Sequence, residues 1–317
     1  MANEMITTRV RLLLALPVFL FMWSFVTPFA FADDTAAQQK FSTPDAAVTA
    51  LIAADKAGDM KAMSSILGPD ADQLLSSGDP VADKNARDEF ARRYDEMHRL
   101  AYDDQGRVIL YIGAENWPVP ISLIKKDSGW VFDTAAGKDE LLFRRIGRNE
   151  LFTIRVLEDL AVAQSEYASE ANDGGSEGEF AQKIMSDSGE HNGLYWETAE
   201  GQPESPIGAL VAKATAAGYK QNTGGNPIPF HGYYYKVLTK QGRNAPGGAR
   251  NYLLDGKMTK GFAFLAYPAE YRASGVVTFM INQDGVIVQK DLGPDTAKVA
   301  SAISEYNPDK TWDEVDQ

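Results

Sequence analysis

The chain has 317 residues, 44% hydrophobic and 10% aromatic, with 31 basic against 44 acidic residues and no cysteine. A net charge of −13 repels phosphate backbones, so nucleic acid is not an expected partner. The missing cysteines exclude disulfides, thiolate chemistry and cysteine-linked lipid, so stability has to come from packing.

Arg9 and Arg11 precede a nearly unbroken apolar run from Leu12 to Val26, and Ala30-Phe31-Ala32 forms an A-x-A site. This pattern predicts a secretory signal peptide over residues 1–32. The run is shorter than the roughly 20 residues that a spanning helix needs. Cleavage after Ala32 leaves 29 basic and 43 acidic residues, a charge of −14. The expected location is the periplasm or the cell exterior. No later segment is long and apolar enough to span a membrane.

Residues 33–40 read as a polar tether. Ser42-Thr43-Pro44-Asp45 opens a helix, with a capping hydroxyl and a proline where its missing N–H costs little. Ala47, Val48, Leu51 and Ile52 give that helix an apolar stripe, which Gly58-Asp59 breaks. A second helix is expected over 60–67. A third is expected from Lys84 to Leu100, on the spacing of Phe90, Tyr94 and Met97. Strands follow at 108–112, 119–125 and 130–133, with a turn at Asp127-Ser128-Gly129.

Gly147-Arg148-Asn149-Glu150 marks the expected domain boundary. A long helix from Asn149 to Ser169 carries Phe152, Val156, Leu160, Ala163 and Tyr167 as one stripe, widened by Leu151, Ile154 and Leu157. A short helix is expected over 209–217. Strands are expected at 232–239, 261–267, 275–282 and 286–290, the last two joined by Asp284-Gly285, and a closing helix over 295–304. Helices followed by antiparallel strands predict an α+β fold. The expected layout is two domains, 41–146 and 147–317, each a small antiparallel sheet packed with helices.

Several pieces of this sequence resemble one family. They are Ser77-Gly78-Asp79-Pro80-Val81, Trp117-Pro118, Phe132-Asp133-Thr134-Ala135-Ala136-Gly137, Arg145-Ile146-Gly147-Arg148-Asn149-Glu150 and Gly193-Leu194-Tyr195-Trp196. His231-Gly232-Tyr233-Tyr234, Ala245-Pro246-Gly247-Gly248, and Asp284-Gly285 leading to Lys290-Asp291-Leu292-Gly293 complete the set. Together they are similar to the exported bacterial family catalogued as domain of unknown function number 2950, which implies no activity. Residues 41–146 also resemble the nuclear-transport-factor-2-like cone fold, which implies a pocket inside the sheet. The second half resembles the globular head of type IV pilins and pseudopilins, without their hydrophobic polymerising half-helix.

Motifs that would carry chemistry are few. His98, His191 and His231 lack the spacing of a zinc-binding helix. No phosphate-loop or dinucleotide motif occurs. The acidic pairs Asp103-Asp104, Asp139-Glu140 and Glu158-Asp159 read as surface on so acidic a chain. No cofactor is expected. Calcium is the one alternative, on Asn172, Asp173, Glu177 and Glu179, a glycine-rich acidic loop that departs from EF-hand spacing. Tyr94, Trp117, Trp130 and Tyr234 are the candidate ligand-binding aromatics.

In FHGYYYKVLT, residues 230–239, strand alternation puts Tyr233, Tyr235 and Val237 on one face, expected to pack on the long helix. Tyr234, Lys236 and Leu238 take the other face, expected to meet water. The expectation for function is a non-enzymatic exported protein that binds or assembles at the cell envelope, with an envelope protein or glycan as partner. The alternative is a ligand-binding or hydrolytic enzyme with its pocket in the first half.

Overall fold

The computed structural model describes residues 38–172, 175–220 and 227–315. The expected leader and most of the expected tether lie outside the described residues. Helix α1 (Pro44–Ala57) begins as the sequence predicts: Thr43 accepts the Ala46 N–H at 3.1 Å and Pro44 stands in the first turn. Gly58 ends it in a left-handed conformation at φ 65°. Asp59 caps α2 (Met60–Leu67), and a 3-10 turn at Pro69–Ala71 leads into the short α3 (Asp72–Leu75). Helix α4 (Pro80–Glu96) starts one turn earlier than expected, because Asp79 Oδ1 accepts the Ala82 N–H ahead of Pro80.

The expected end of that helix at Leu100 is corrected. Met97 turns extended, and His98–Tyr102 form strand β1. It pairs antiparallel with β2 (Val108–Ile112), which carries the short β3 (Trp117–Pro118) beside it. The meander closes with β4 (Leu123–Lys126) and β5 (Gly129–Phe132). Helices α1 and α2 pack on this sheet around Val48, Leu51, Met63, Leu110, Ile112 and Leu123, the first core.

Helix α5 runs without interruption from Thr134 to Ala168. At about 1.5 Å per residue its 35 residues extend roughly 52 Å. It passes straight through the expected boundary at Ile146-Gly147 and supplies buried side chains on both sides, from Leu142 to Tyr167. Two glycines sit inside it. Gly137 is there for space: a Cβ would lie 2.5 Å from Pro120 O and 2.8 Å from Ile121 Cα. Gly147 has open space around its missing Cβ. Of the expected stripe, Val156, Leu160, Ala163 and Tyr167 are buried and Phe152 is half-buried, whereas Leu151 is 60% exposed.

Among the described residues the named strands of the second lobe pair antiparallel apart from one short pair. Strands β6 (Lys183–Met185) and β7 (Gly193–Tyr195) pair in parallel, and α6 (Gly208–Ala216) follows. Strand β8 (Tyr233–Leu238) leads to two small ladders, β9 (Lys240–Gln241) with β10 (Arg250–Asn251) and β11 (Leu253–Leu254) with β12 (Lys257–Met258). The main sheet then adds β13 (Ala263–Pro268), β14 (Val277–Asn282) and β15 (Ile287–Asp291). After α7 (Thr296–Ala302) it ends with β16 (Asp313–Glu314). Its order is β16-β15-β14-β13-β8. Gly285, at φ 77°, makes the β14–β15 turn that Asp284-Gly285 predicts.

Tyr235 faces α5, its hydroxyl 3.2 Å from Thr153 Oγ1, and Tyr233 is fully buried. The opposite face of β8 is not open to water as expected. Leu238 is 1% exposed, and Lys236 Nζ donates to Ile303 O at 2.8 Å and Ser301 O at 3.2 Å, at the end of α7. Helices thus cover this sheet on both faces. The architecture is α+β: seven helices and several antiparallel sheets among the described residues, with two hydrophobic cores bridged by α5.

Candidate functional site

A cleft of about 470 Å3 opens in the first lobe. Its floor is buried and apolar: Leu51, Met63, Leu110, Ile112, Ile121 and Phe132. Half-buried walls of Leu74, Phe90, Trp117, Val119 and Leu141 rise above it. Arg87 and Arg93 come from α4, and Arg144, Arg145 and Arg148 from α5. Asp55, Asp83 and Glu89 are the lining carboxylates. Cations therefore outnumber anions around this one cleft, on a chain whose net charge is −13.

The charges differ in how fully they are engaged. Glu89 is held by Arg92 at 2.7 Å and Arg93 at 2.6 Å, and the hydrogen bonds from Arg92 and then Arg93 bring its carboxyl down to about 2. Asp83, 8% exposed, accepts the Ser77 N–H at 2.9 Å. Arg145 donates to Leu74 O and, at 2.8 Å, to Gln73 O, and its burial lowers its pKa. Arg144 pairs with Glu140 at 2.7 Å and lies 5.3 Å from the centre of the Trp117 ring. Arg148, one turn further along α5, is exposed and makes no hydrogen bond or ion pair among the described residues.

Asp55 is the outlier. It stands one turn beyond Leu51 on the same face of α1, and its side chain is 4% exposed. Arg87 Nε approaches only to 4.0 Å, and neither carboxylate oxygen has a hydrogen-bond partner among the described residues. Burial pushes its pKa up to about 6, against a smaller opposing pull from Arg87.

Of the four aromatics picked from sequence, Trp117 alone lines the cleft. Tyr94 is half-buried on α4, stacked on His98 at 3.8 Å. Trp130 bridges to Phe41 through its backbone and meets Tyr102 edge-on at 6.2 Å. Tyr234 belongs to the other lobe, beside Tyr267 at 5.4 Å.

The histidines also stand apart. His98 is on Tyr94, His191 on Trp196 at 4.4 Å, and His231 on Phe152 at 3.8 Å. Of the calcium candidates, Asn172 Nδ2 donates to Tyr167 O and Glu179 pairs with Lys257 at 3.0 Å. Glu177 is exposed, and Asp173 lies outside the described residues. Among the described residues no group of three acidic or histidine side chains is placed to hold a metal.

A second cavity, of about 320 Å3, lies between α5, α6 and β8. Val156, Leu160, Leu210, Val211, Phe230 and Tyr235 line it, and Lys220 is its one charged lining residue among those described. Among the described residues it carries a single charge against eight in the first cleft, so the first cleft is the stronger site.

The profile of the family described as "Protein of unknown function (DUF2950)" matches residues 38–315. The chain belongs to this family. No curated protein and no solved structure matches it. Several of the motifs that carry the family likeness meet at the seam between the lobes. Asp79 Oδ2 accepts Tyr219 Oη–H and the Gly232 N–H, each at 2.8 Å. Asn149 Nδ2 donates to Ser274 O at 2.9 Å, and Glu150 accepts the Val276 and Val277 N–H groups. The cleft arginines Arg145 and Arg148 directly precede the seam residues Asn149 and Glu150 on α5. Sequence reading missed the arginines because it started the helix at Asn149. With α5 starting at Thr134, Arg144, Arg145 and Arg148 fall at helical spacings of three and four, which would have signalled a basic face.

Proposed function

We propose that this protein is an exported binding protein that takes a small amphipathic anion in the first-lobe cleft and does no chemistry on it. One observation carries the reading: an apolar cleft of ordinary ligand-site size is flanked by five arginines, one of them without a partner among the described residues, on an otherwise acidic chain. Apolar walls favour a hydrocarbon body, and guanidinium groups favour a carboxylate or phosphate head. Export and a role at the envelope rest on the leader pattern of residues 1–32. The likeness of the second half to a pilin head belongs to the same reading, as a scaffold rather than a polymerising unit.

Calorimetry on the mature chain tests this with decanoate, decyl phosphate, decanol and decyltrimethylammonium. The two anions are expected to bind, and each to stabilise the fold by about 2.7 kcal/mol at a hundred times its Kd. Arg148→Ala and Arg144→Ala are each expected to weaken the anions by about tenfold, the scale of one charge-assisted hydrogen bond. Equal binding of decanol, or no effect of either substitution, would sink the reading. N-terminal sequencing of protein from the periplasm or medium is expected to begin at Asp33.

One observation favours a second reading. A carboxyl raised to about 6 inside a cleft is suited to general-base work. That reading expects turnover of ester, amide or glycoside reporters with a pH dependence near 6, lost in Asp55→Asn. A broad panel without turnover would remove it.

A further inference from the structure

The geometry points to a zwitterion on an apolar body as the ligand of the first-lobe cleft, an amino acid or short peptide with a free amine and a free carboxylate, with Asp55 holding the amine. This deepens the anion-binding reading and rests on it. The argument starts from cost. A carboxylate buried without hydrogen bonds is expensive, and proteins ordinarily pair or solvate such a group. Both Asp55 oxygens lack hydrogen-bond partners among the described residues, yet the side chain is 4% exposed and lines the cavity.

The neighbouring cations do not meet the need. Arg87 Nε stays at 4.0 Å, and Lys56 is turned to Asp95 at 2.7 Å. Asp88, also nearby, adds repulsion. What is missing is a cationic donor arriving from the cavity. An ammonium group supplies three N–H donors and one positive charge, and a carboxylate offers about four lone-pair sites. A hydroxyl would supply one donor and leave the charge unbalanced. At the other pole of the ligand, Arg148 has no partner among the described residues and Arg144 stands one turn away on the same helix, so a carboxylate has its place there. The same cleft is also lined by the apolar Leu74, Phe90 and Leu141, which suit a hydrocarbon body. Amine, apolar body and carboxylate together describe an amino acid or a short apolar peptide.

The test uses the mature chain and three probes in calorimetry at pH 7.5: leucyl-leucine, its N-acetyl derivative and its C-terminal amide. Leucyl-leucine is expected to bind at least about tenfold tighter than the N-acetyl form, the size of one hydrogen bond to a charged group. Asp55→Asn is expected to bring the two within about twofold of each other, while an unchanged far-ultraviolet spectrum shows that it is folded. The amide is expected to lose affinity in wild type, and Arg148→Ala to erase that loss. Equal binding of the free and N-acetyl dipeptides to wild type overturns the assignment, and needs no variant. So does a preference for the free amine that survives in Asp55→Asn, and so does an absence of dipeptide binding. If decanoate still binds through the arginines in any of these cases, the amine assignment fails alone. If decanoate also fails, the anion-binding reading falls with it.

Discussion

Asp55→Asn is expected to make the protein more stable at neutral pH and to leave it nearly unchanged at pH 4. The carboxyl moves from 3.8 to about 6 on folding, burial being the largest cause; Arg87 and Lys56 pull it down and Asp88 pushes it up. A folded-state pKa above the unfolded one means that the folded protein holds the proton more tightly. The stability tied to that proton is fully present below 3.8 and is lost as pH rises through about 6. A shift of roughly two units at 1.36 kcal/mol each gives about 3 kcal/mol. Protonated aspartic acid and asparagine are close in shape and both neutral, so their other costs in this site nearly cancel. The difference between variant and wild type should therefore grow from about zero at pH 4 to about 3 kcal/mol at pH 7.5, or about 6 °C in Tm for a chain of this size. Urea denaturation at half-unit steps from pH 4 to 8 measures it, and taking the difference removes every other titrating group. A gap that does not change with pH would refute the reasoning, as would an asparagine variant less stable at pH 7.5.

Gly137→Ala should lose about 2 kcal/mol despite alanine's helical advantage of about 1 kcal/mol, because its Cβ would meet Pro120 and Ile121. Gly147→Ala, in open space on the same helix, should gain up to about 1 kcal/mol; similar outcomes for the two in denaturant melts would show that packing does not distinguish them. Tyr235→Ala should cost about 3 kcal/mol and Tyr234→Ala about 1, while Tyr235→Phe, which leaves the buried Thr153 hydroxyl without its partner, should cost about 1. His231 lies among Phe152, Tyr219 and Phe230, and burial lowers its pKa; Asp79 opposes the shift and Arg148 adds to it. The stability of its neutral ring is present above 6.5 and is lost as pH falls through the lowered value, and an NMR titration midpoint above 6.5 would contradict this.

What could be read from the sequence was local chemistry. Thr43-Pro44 announces α1, Asp284-Gly285 announces the β14–β15 turn, and the apolar stripe from Val156 to Tyr167 announces the buried face of α5. The errors lie where tertiary contacts outweigh local preference. Phe90, Tyr94 and Met97 keep a helical period, but the chain goes extended at Met97, where Gly113 N–H donates to Met97 O and Arg93 O. Gly137 and Gly147 look like breakers, yet one permits a close approach and the other costs only about 1 kcal/mol within a 35-residue helix. The cleft was illegible for another reason. Asp55, Arg87 and Arg148 belong to three separate helices, and only the packing of α1, α4 and α5 places them around one cavity.

Helix α5 gives the two lobes a common folding fate. A cut at Gly147, where the sequence invites one, would leave 13 helical residues on one fragment, strand Arg148 and the seam residues Asn149 and Glu150 on the other, and open the buried Ile146 to water. Neither fragment would own a complete cleft. Helix cooperativity makes the intact rod worth more than its two pieces, so loss of either core should propagate along it to the other. Any ligand that tightens the arginine-bearing turns of α5 also stiffens the adjoining Asn149 and Glu150, which grip Ser274, Val276 and Val277 where the helix begins its last 20 residues, about 30 Å at 1.5 Å per residue.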